Sequence, residues 1–108
     1  MLATGEPERL YSGLSVLVST AVDGERCVAL ATFRSLELLL AGGASGRDER
    51  FDRSLAELIA TARSLEALEL YACSASVDLL GIDGDPLGGV MSTPRFLRMA
   101  RGTTLLFV

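Results

Sequence analysis

The stretch from Leu68 to Gly81 constrains this chain most. An apolar run that reads as a short buried strand from Ala67 to Ala72 gives way at Cys73 to small polar residues and a new helix. A strand feeding directly into a helix is the unit from which layered α/β folds are built. The junction also bears on chemistry. A thiol at a strand end facing a helix N-terminus meets unpaired backbone N–H groups and the positive end of a dipole, and both favour thiolate. Cys73 is therefore a candidate nucleophile. Free cysteine is equally at home as a buried apolar residue, and the local sequence weighs the two readings evenly.

Other segments extend the α/β pattern. Phe51, Leu55, Leu58, Ile59, Ala62 and Leu65 recur at i, i+4, i+7, i+8, i+11 and i+14, one face of a helix whose other faces carry Arg53, Glu57 and Arg63. Ala41 to Gly46 ahead of it is glycine-rich and small, and reads as a mobile surface loop. Near the end, Thr93 reads as an N-cap with Pro94 at the first helical position. Phe96, Leu97 and Ala100 form a stripe, and Gly102 closes the helix. Thr103 to Val108, continuously apolar after its threonines, reads as a terminal strand covered on both faces of a parallel sheet.

The N-terminal third admits two readings. Leu14 to Val22 and Arg26 to Phe33 flank Asp23-Gly24, a strong hairpin signal. Against it, Glu6-Pro7-Glu8 is a good helix start, and Leu10, Leu14, Leu17, Val18 and Ala21 fit one helical face that Gly24 would end. The second version gives a strand at Leu2 to Thr4, a helix from Pro7 to Asp23 and a strand from Arg26 to Phe33.

Absences narrow the chemistry. The chain has no His, Lys, Trp, Asn or Gln, and its 10 positive charges are all Arg. Without His there is no Ser-His-Asp triad, Cys-His pair or HExxH zinc site; without Lys there is no Schiff base or Walker A lysine. No GxGxxG, P-loop or metal-ligand cluster appears, so no cofactor is expected. A cysteine without an imidazole suits sulfur exchange between thiols, which needs a thiolate and a good sulfur leaving group and no relayed base.

The 108 residues make one domain, and 49% hydrophobic with 22% charged is an ordinary globular composition. A chain this short leaves much apolar surface uncovered, so a homo-oligomer is expected. A net charge of −4 with no basic stripe argues against a nucleic-acid partner. Two cysteines with 45 residues between them, and no signal sequence, point to reduced thiols in a cytoplasm. Apolar stretches such as Leu38 to Ala41 fall far short of the ~20 residues a membrane span needs, so no membrane partner is expected.

The segment Ala72-Cys73-Ser74-Ala75-Ser76-Val77-Asp78-Leu79-Leu80-Gly81-Ile82, supported by Gly88-Gly89-Val90, Phe96 to Ala100 and Leu105 to Val108, resembles the DsrE/DsrF-like proteins, particularly small members labelled peroxiredoxin-like. The resemblance covers nearly the whole chain, residues 1–108. It places Gly5 to Arg9 after a first strand, favouring helix over hairpin. It implies a three-layer α/β/α fold with a mainly parallel five-stranded sheet. It also implies intracellular sulfur trafficking, in which Cys73 accepts a sulfane sulfur from a donor protein as a persulfide and hands it to an acceptor protein, as a carrier or sulfurtransferase. The chain departs from the family pattern at Ala31 to Leu38, usually more aromatic and glycine-containing. Some members serve structural rather than transfer roles.

The remaining candidates have competing readings. Ser74 and Ser76 either donate hydrogen bonds to a thiolate or persulfide or serve as helix caps. Gly88 and Gly89 either let backbone approach a substrate beside the thiol or form a turn after Asp85-Pro86. Cys27 reads as core rather than a resolving thiol. Asp78 reads as a cap, because a carboxylate beside a thiol opposes its ionisation. Arg34 and Arg95 are weak candidates for an anionic donor or a partner's acidic patch. Two other function classes remain: a non-catalytic oligomeric interaction subunit with Cys73 merely buried, and a small-ligand module with a closed pocket at the strand ends.

Overall fold

The computed structural model describes all of residues 1–108. Eight elements follow one another: α1 (Pro7–Val22), β1 (Cys27–Ala31), α2 (Phe33–Leu40), α3 (Glu49–Ser64), β2 (Leu68–Cys73), α4 (Ser74–Leu80), β3 (Val90–Met91) and α5 (Thr93–Met99). The strands form a three-stranded sheet in the order β1-β2-β3, parallel throughout. The class is α/β with a parallel sheet.

Local chemistry explains the boundaries. Pro7 at the start of α1 gives up an N–H that has no helical partner, and its fixed φ suits the first turn. Gly24, at φ +91°, turns the chain out of α1, so Asp23-Gly24 ends a helix and makes no hairpin. Asp48 caps α3 by accepting from the Phe51 N–H at 2.7 Å.

Strand alternation sorts the core. Ala29 and Ala31 of β1 and Leu68, Leu70 and Ala72 of β2 join one buried cluster with Leu10 and Leu14 of α1 and Leu55, Ile59 and Ala62 of α3. The intervening positions face the other way, where Leu30, Cys73, Met91 and Phe96 make a smaller cluster. The two 16-residue helices thus cover one face. The short α5 covers part of the other through Phe96.

Three expectations are corrected. The sheet has three strands rather than five. The outer two are reduced to hydrogen bonds at single residues. Leu2 bridges Ala31 in parallel, its N–H donating to the Leu30 carbonyl at 2.8 Å, and Val108 takes the Ala3 N–H at 2.7 Å while donating to the Met1 carbonyl at 2.9 Å. Thr103 to Val108 is accordingly no doubly covered strand. Leu105 and Phe107 are half or more exposed, and only Val108 packs inward, against buried Gly13 of α1. Its apolar run promised burial, but no neighbouring strand reaches past Met1 to Thr4 to pair with it. Third, the cap of α5 is Ser92, which accepts from the Arg95 N–H at 3.3 Å, and Thr93 is the first helical residue. The loop before α3 also packs more closely than its composition implied: Gly43 is buried so near Ala56 that a Cβ would lie 2.7 Å from its backbone nitrogen.

Candidate functional site

Each strand ends in a helix start at the same edge of the sheet: β1 runs into α2, β2 into α4 and β3 into α5. This carboxyl edge is where open α/β sheets bind ligands. Cys73 stands there as the last residue of the middle strand and the N-cap of α4. Met91 pairs with Cys73 across the sheet, so the chain two residues further on brings Thr93 alongside the thiol. Cys73 Sγ and Thr93 Oγ1 are 3.7 Å apart, a hydrogen-bonding distance for sulfur.

Ser76, in the first turn of α4, is wholly buried, and its Oγ accepts the Phe33 N–H at 3.0 Å. That bond ties the start of α2 to the turn holding Cys73. Phe33 has φ +38°, the one non-glycine residue with positive φ. Such a conformation costs about 1–3 kcal/mol and persists only where surrounding contacts hold it; the Ser76 bond is one of them.

The ionisation of Cys73 follows from these neighbours. Burial pushes its thiol up. The neighbouring Ser76 N–H, Thr93 hydroxyl, Ser76 hydroxyl and Ala75 N–H together outweigh burial and lower it from the ordinary thiol value, the Thr93 hydroxyl being the one within hydrogen-bonding geometry of the sulfur. Yet the residue is only 4% exposed, packed against Leu30, Met91 and Phe96. The site is a buried thiol whose polar neighbours lower it despite its cover.

Of the residues expected at the site, Ser76 is at the sulfur. Ser74 opens α4 half-buried and is not among the groups holding the thiol. Gly88 lies alongside β2, where its N–H donates to the Leu70 carbonyl at 2.9 Å and a Cβ would come within 2.8 Å of that oxygen. It lines a cleft of about 300 Å³ with Arg63, Glu69, Tyr71 and Leu87. Gly89 follows it against the Tyr71 ring, its carbonyl taking the Ala72 N–H at 2.9 Å. Asp78 and Arg95 are exposed, and Arg34 makes a loose 4.0 Å pair with Glu37.

Cys27 belongs to the opposite end. It starts β1, pairs with Leu68, and packs against the cluster on the other face from Cys73. Five residues of strand then separate the thiols, about 16 Å, too far for a disulfide within one chain. Burial, with the charge of Glu25 second, pushes the Cys27 thiol up.

Thr93 and Phe33 are the site residues that sequence reasoning missed. The signal for Thr93 was present in Ser92-Thr93-Pro94, three helix-start residues directly after a strand. Nothing in the sequence marked the Phe33 N–H. No protein-family model and no curated protein sequence matches this chain.

Proposed function

We propose that this protein is a sulfur carrier or sulfurtransferase of the DsrE/DsrF-like kind, acting through a persulfide on Cys73. The observation that supports it best is the placing of Cys73 at the end of β2 and the start of α4 with the Thr93 hydroxyl 3.7 Å from its sulfur, polar neighbours that lower the thiol despite its burial. They favour an anion where no imidazole is present to generate one. The Cys73 thiolate attacks the outer sulfur of a donor persulfide, RS–SH. The RS–S bond breaks, a Cys73–SSH bond forms and RS⁻ leaves. An acceptor thiolate then attacks the outer sulfur, the Cys73 S–S bond breaks, and Cys73 returns as thiolate while the acceptor carries the SH. The distance to Cys27 argues that this acceptor is external. Ser74, Gly88 and Gly89 are proposed only as flanks along which a donor approaches.

The protein is also proposed to form a homo-oligomer. Leu97, Leu105, Leu106 and Phe107 are each about half exposed or more, apolar surface that a second copy would cover over the roughly 1,000 Å² of a specific contact. The near-complete burial of Cys73 favours a second reading, an interaction subunit with an inert cysteine. No helix is long and apolar enough to cross a membrane.

Mass spectrometry after incubation with a polysulfide donor tests the proposal. Wild type and Cys27→Ser should gain the mass of one sulfur and Cys73→Ser should not. Failure of wild type to take up sulfur leaves the interaction subunit as the reading.

A further inference from the structure

Cys73 is 4% exposed, so its sulfur meets a donor only when something moves, and the candidates to move are few. Beneath Cys73 is its own strand, and beside it are Leu30 of β1 and Met91 of β3, fixed by sheet pairing. Val28 and Tyr71 are likewise held in the sheet, which leaves Met1 at the chain end and α5 as the rest of the cover. This seven-residue helix has one buried residue, Phe96, while Leu97 and Met99 are 46% and 43% exposed. A cavity of about 490 Å³ opens beside that anchor, lined by Phe96 and Met99 with Leu17, Val28 and Leu106 among others. Phe96 therefore has apolar space to move into. The same helix begins with Thr93, whose hydroxyl meets the sulfur.

We propose that Thr93 is a positioning residue for the Cys73 sulfur and that α5, which carries it, is the movable cover of the site. With α5 down, Phe96 closes the apolar side of Cys73 and Thr93 holds the sulfur. As α5 swings out about Ser92, Phe96 turns toward the neighbouring cavity, and the sulfur is uncovered and released from Thr93 in one motion. Losing the hydrogen bond makes each thiolate more nucleophilic while lowering the fraction ionised, so opening acts through access to the sulfur. This explains the burial on the reading of Cys73 as a sulfur acceptor, and on that reading alone does the cover have a purpose.

The surrounding elements carry several ionisable groups: Glu69 and Tyr71 on β2, Asp78 on α4, Arg95 and Arg98 on α5, and the half-buried Met1 ammonium. Burial and hydrogen bonds set the thiol, and none of these charges is among the causes of its shift. A change in the pH profile on altering Thr93 therefore reports the hydroxyl.

The test is alkylation of the whole protein by iodoacetamide as a function of pH, mapped at both thiols, in wild type, Thr93→Val, Thr93→Ser and Phe96→Leu. Thr93→Val should raise the midpoint at Cys73 by roughly half to one pH unit, and Thr93→Ser should keep the wild-type midpoint. Phe96→Leu should raise the Cys73 plateau rate on the order of tenfold, well beyond any change at Cys27, which lines the same cavity. Identical profiles in Thr93→Val and wild type overturn the positioning role. An unchanged rate in Phe96→Leu overturns the cover. If that variant raises both thiols together, amide exchange in the wild-type protein decides. Amides of α5 exchanging much faster than those of α3 uphold the cover, and equal protection overturns it. Alkylation needs no sulfur transfer, so a protein that passes here but takes up no sulfur refutes the carrier and leaves the cover standing.

Discussion

Cys27 and Cys73 start and end neighbouring strands of one sheet, face opposite sides of it, and titrate in opposite directions. Cys73 is buried and Cys27 half-buried, and burial alone would raise both thiols. The difference lies in what each strand end offers. At the amino end of β1 the chain arrives through Glu25, whose charge adds to the burial of Cys27, while Cys27 Sγ–H only reaches the Glu25 carbonyl at 3.7 Å. At the carboxyl end of β2 a helix begins, so N–H groups without helical partners lie near the sulfur and lower the thiol, and the chain after the next strand delivers a hydroxyl. The lesson is that position in a parallel sheet decides what a cysteine can do.

The largest effects that sharpen this contrast come from the two cores. Leu14 and Leu30 are both fully buried, the first in the cluster bordering Cys27 and the second in the cluster holding Cys73. Leu14→Ala and Leu30→Ala should each cost about 2–5 kcal/mol in urea denaturation. Only Leu30→Ala should speed alkylation of Cys73 in the folded protein. If Leu14→Ala speeds it equally, the two faces are not independent and the contrast fails.

Next is Ser76→Ala, which removes the acceptor of the Phe33 N–H and one hydroxyl from Cys73. A cost of about 1–3 kcal/mol is expected from the unpaired group, with the Cys73 alkylation midpoint moved upward and that of Cys27 unmoved. A variant as stable as wild type with an unshifted midpoint would remove Ser76 from the site.

Stability against pH separates the thiols more gently. Cys73 has a folded-state pKa below its unfolded value, so its contribution is present above the ordinary thiol range and is lost as the pH falls through the lowered folded value. Cys27 has a raised folded-state pKa, so its contribution is present below the unfolded value and is lost as the pH rises through the folded one. In urea midpoints followed from neutral into alkaline pH, Cys73→Ser should fall progressively behind wild type and Cys27→Ser should gain on it. The reverse order would mean that burial, not the hydrogen bonds, governs Cys73.

The smallest change is Glu25→Gln. Its charge acts on Cys27 after burial, so the Cys27 alkylation midpoint should drop only slightly and Cys73 should not respond. A large drop would make the carboxylate, not the strand position, the reason Cys27 is unreactive.

Much of this arrangement is legible in the sequence because it depends on local rules. Periodicity and Pro7 define α1, the i, i+4, i+7 stripe defines α3, and the passage from Leu68-Glu69-Leu70 to Ser74-Ala75-Ser76 marks the junction at Cys73. What is illegible depends on partners distant in sequence. Leu105 to Val108 has strand composition, but its pairing depends on where Met1 to Thr4 lie. Phe33 to Leu40 forms α2 from a segment whose start needs a hydroxyl 43 residues away to hold an unfavourable φ. Thr93 shows itself as a helix-start residue. Its second role arises because β3 pairs with β2 in the register that sets Met91 beside Cys73. The burial of Cys73 is likewise the work of Phe96, 23 positions further along the chain.

Cys73 ionises below the ordinary thiol value and Cys27 above it. Treating the native protein with limiting iodoacetamide across pH, and mapping the adducts, compares both thiols in one tube under identical conditions. Adduct is expected at Cys73 first, with a midpoint below the ordinary thiol range, and at Cys27 only at higher pH. Equal labelling of the two, or Cys27 labelled first, would contradict it.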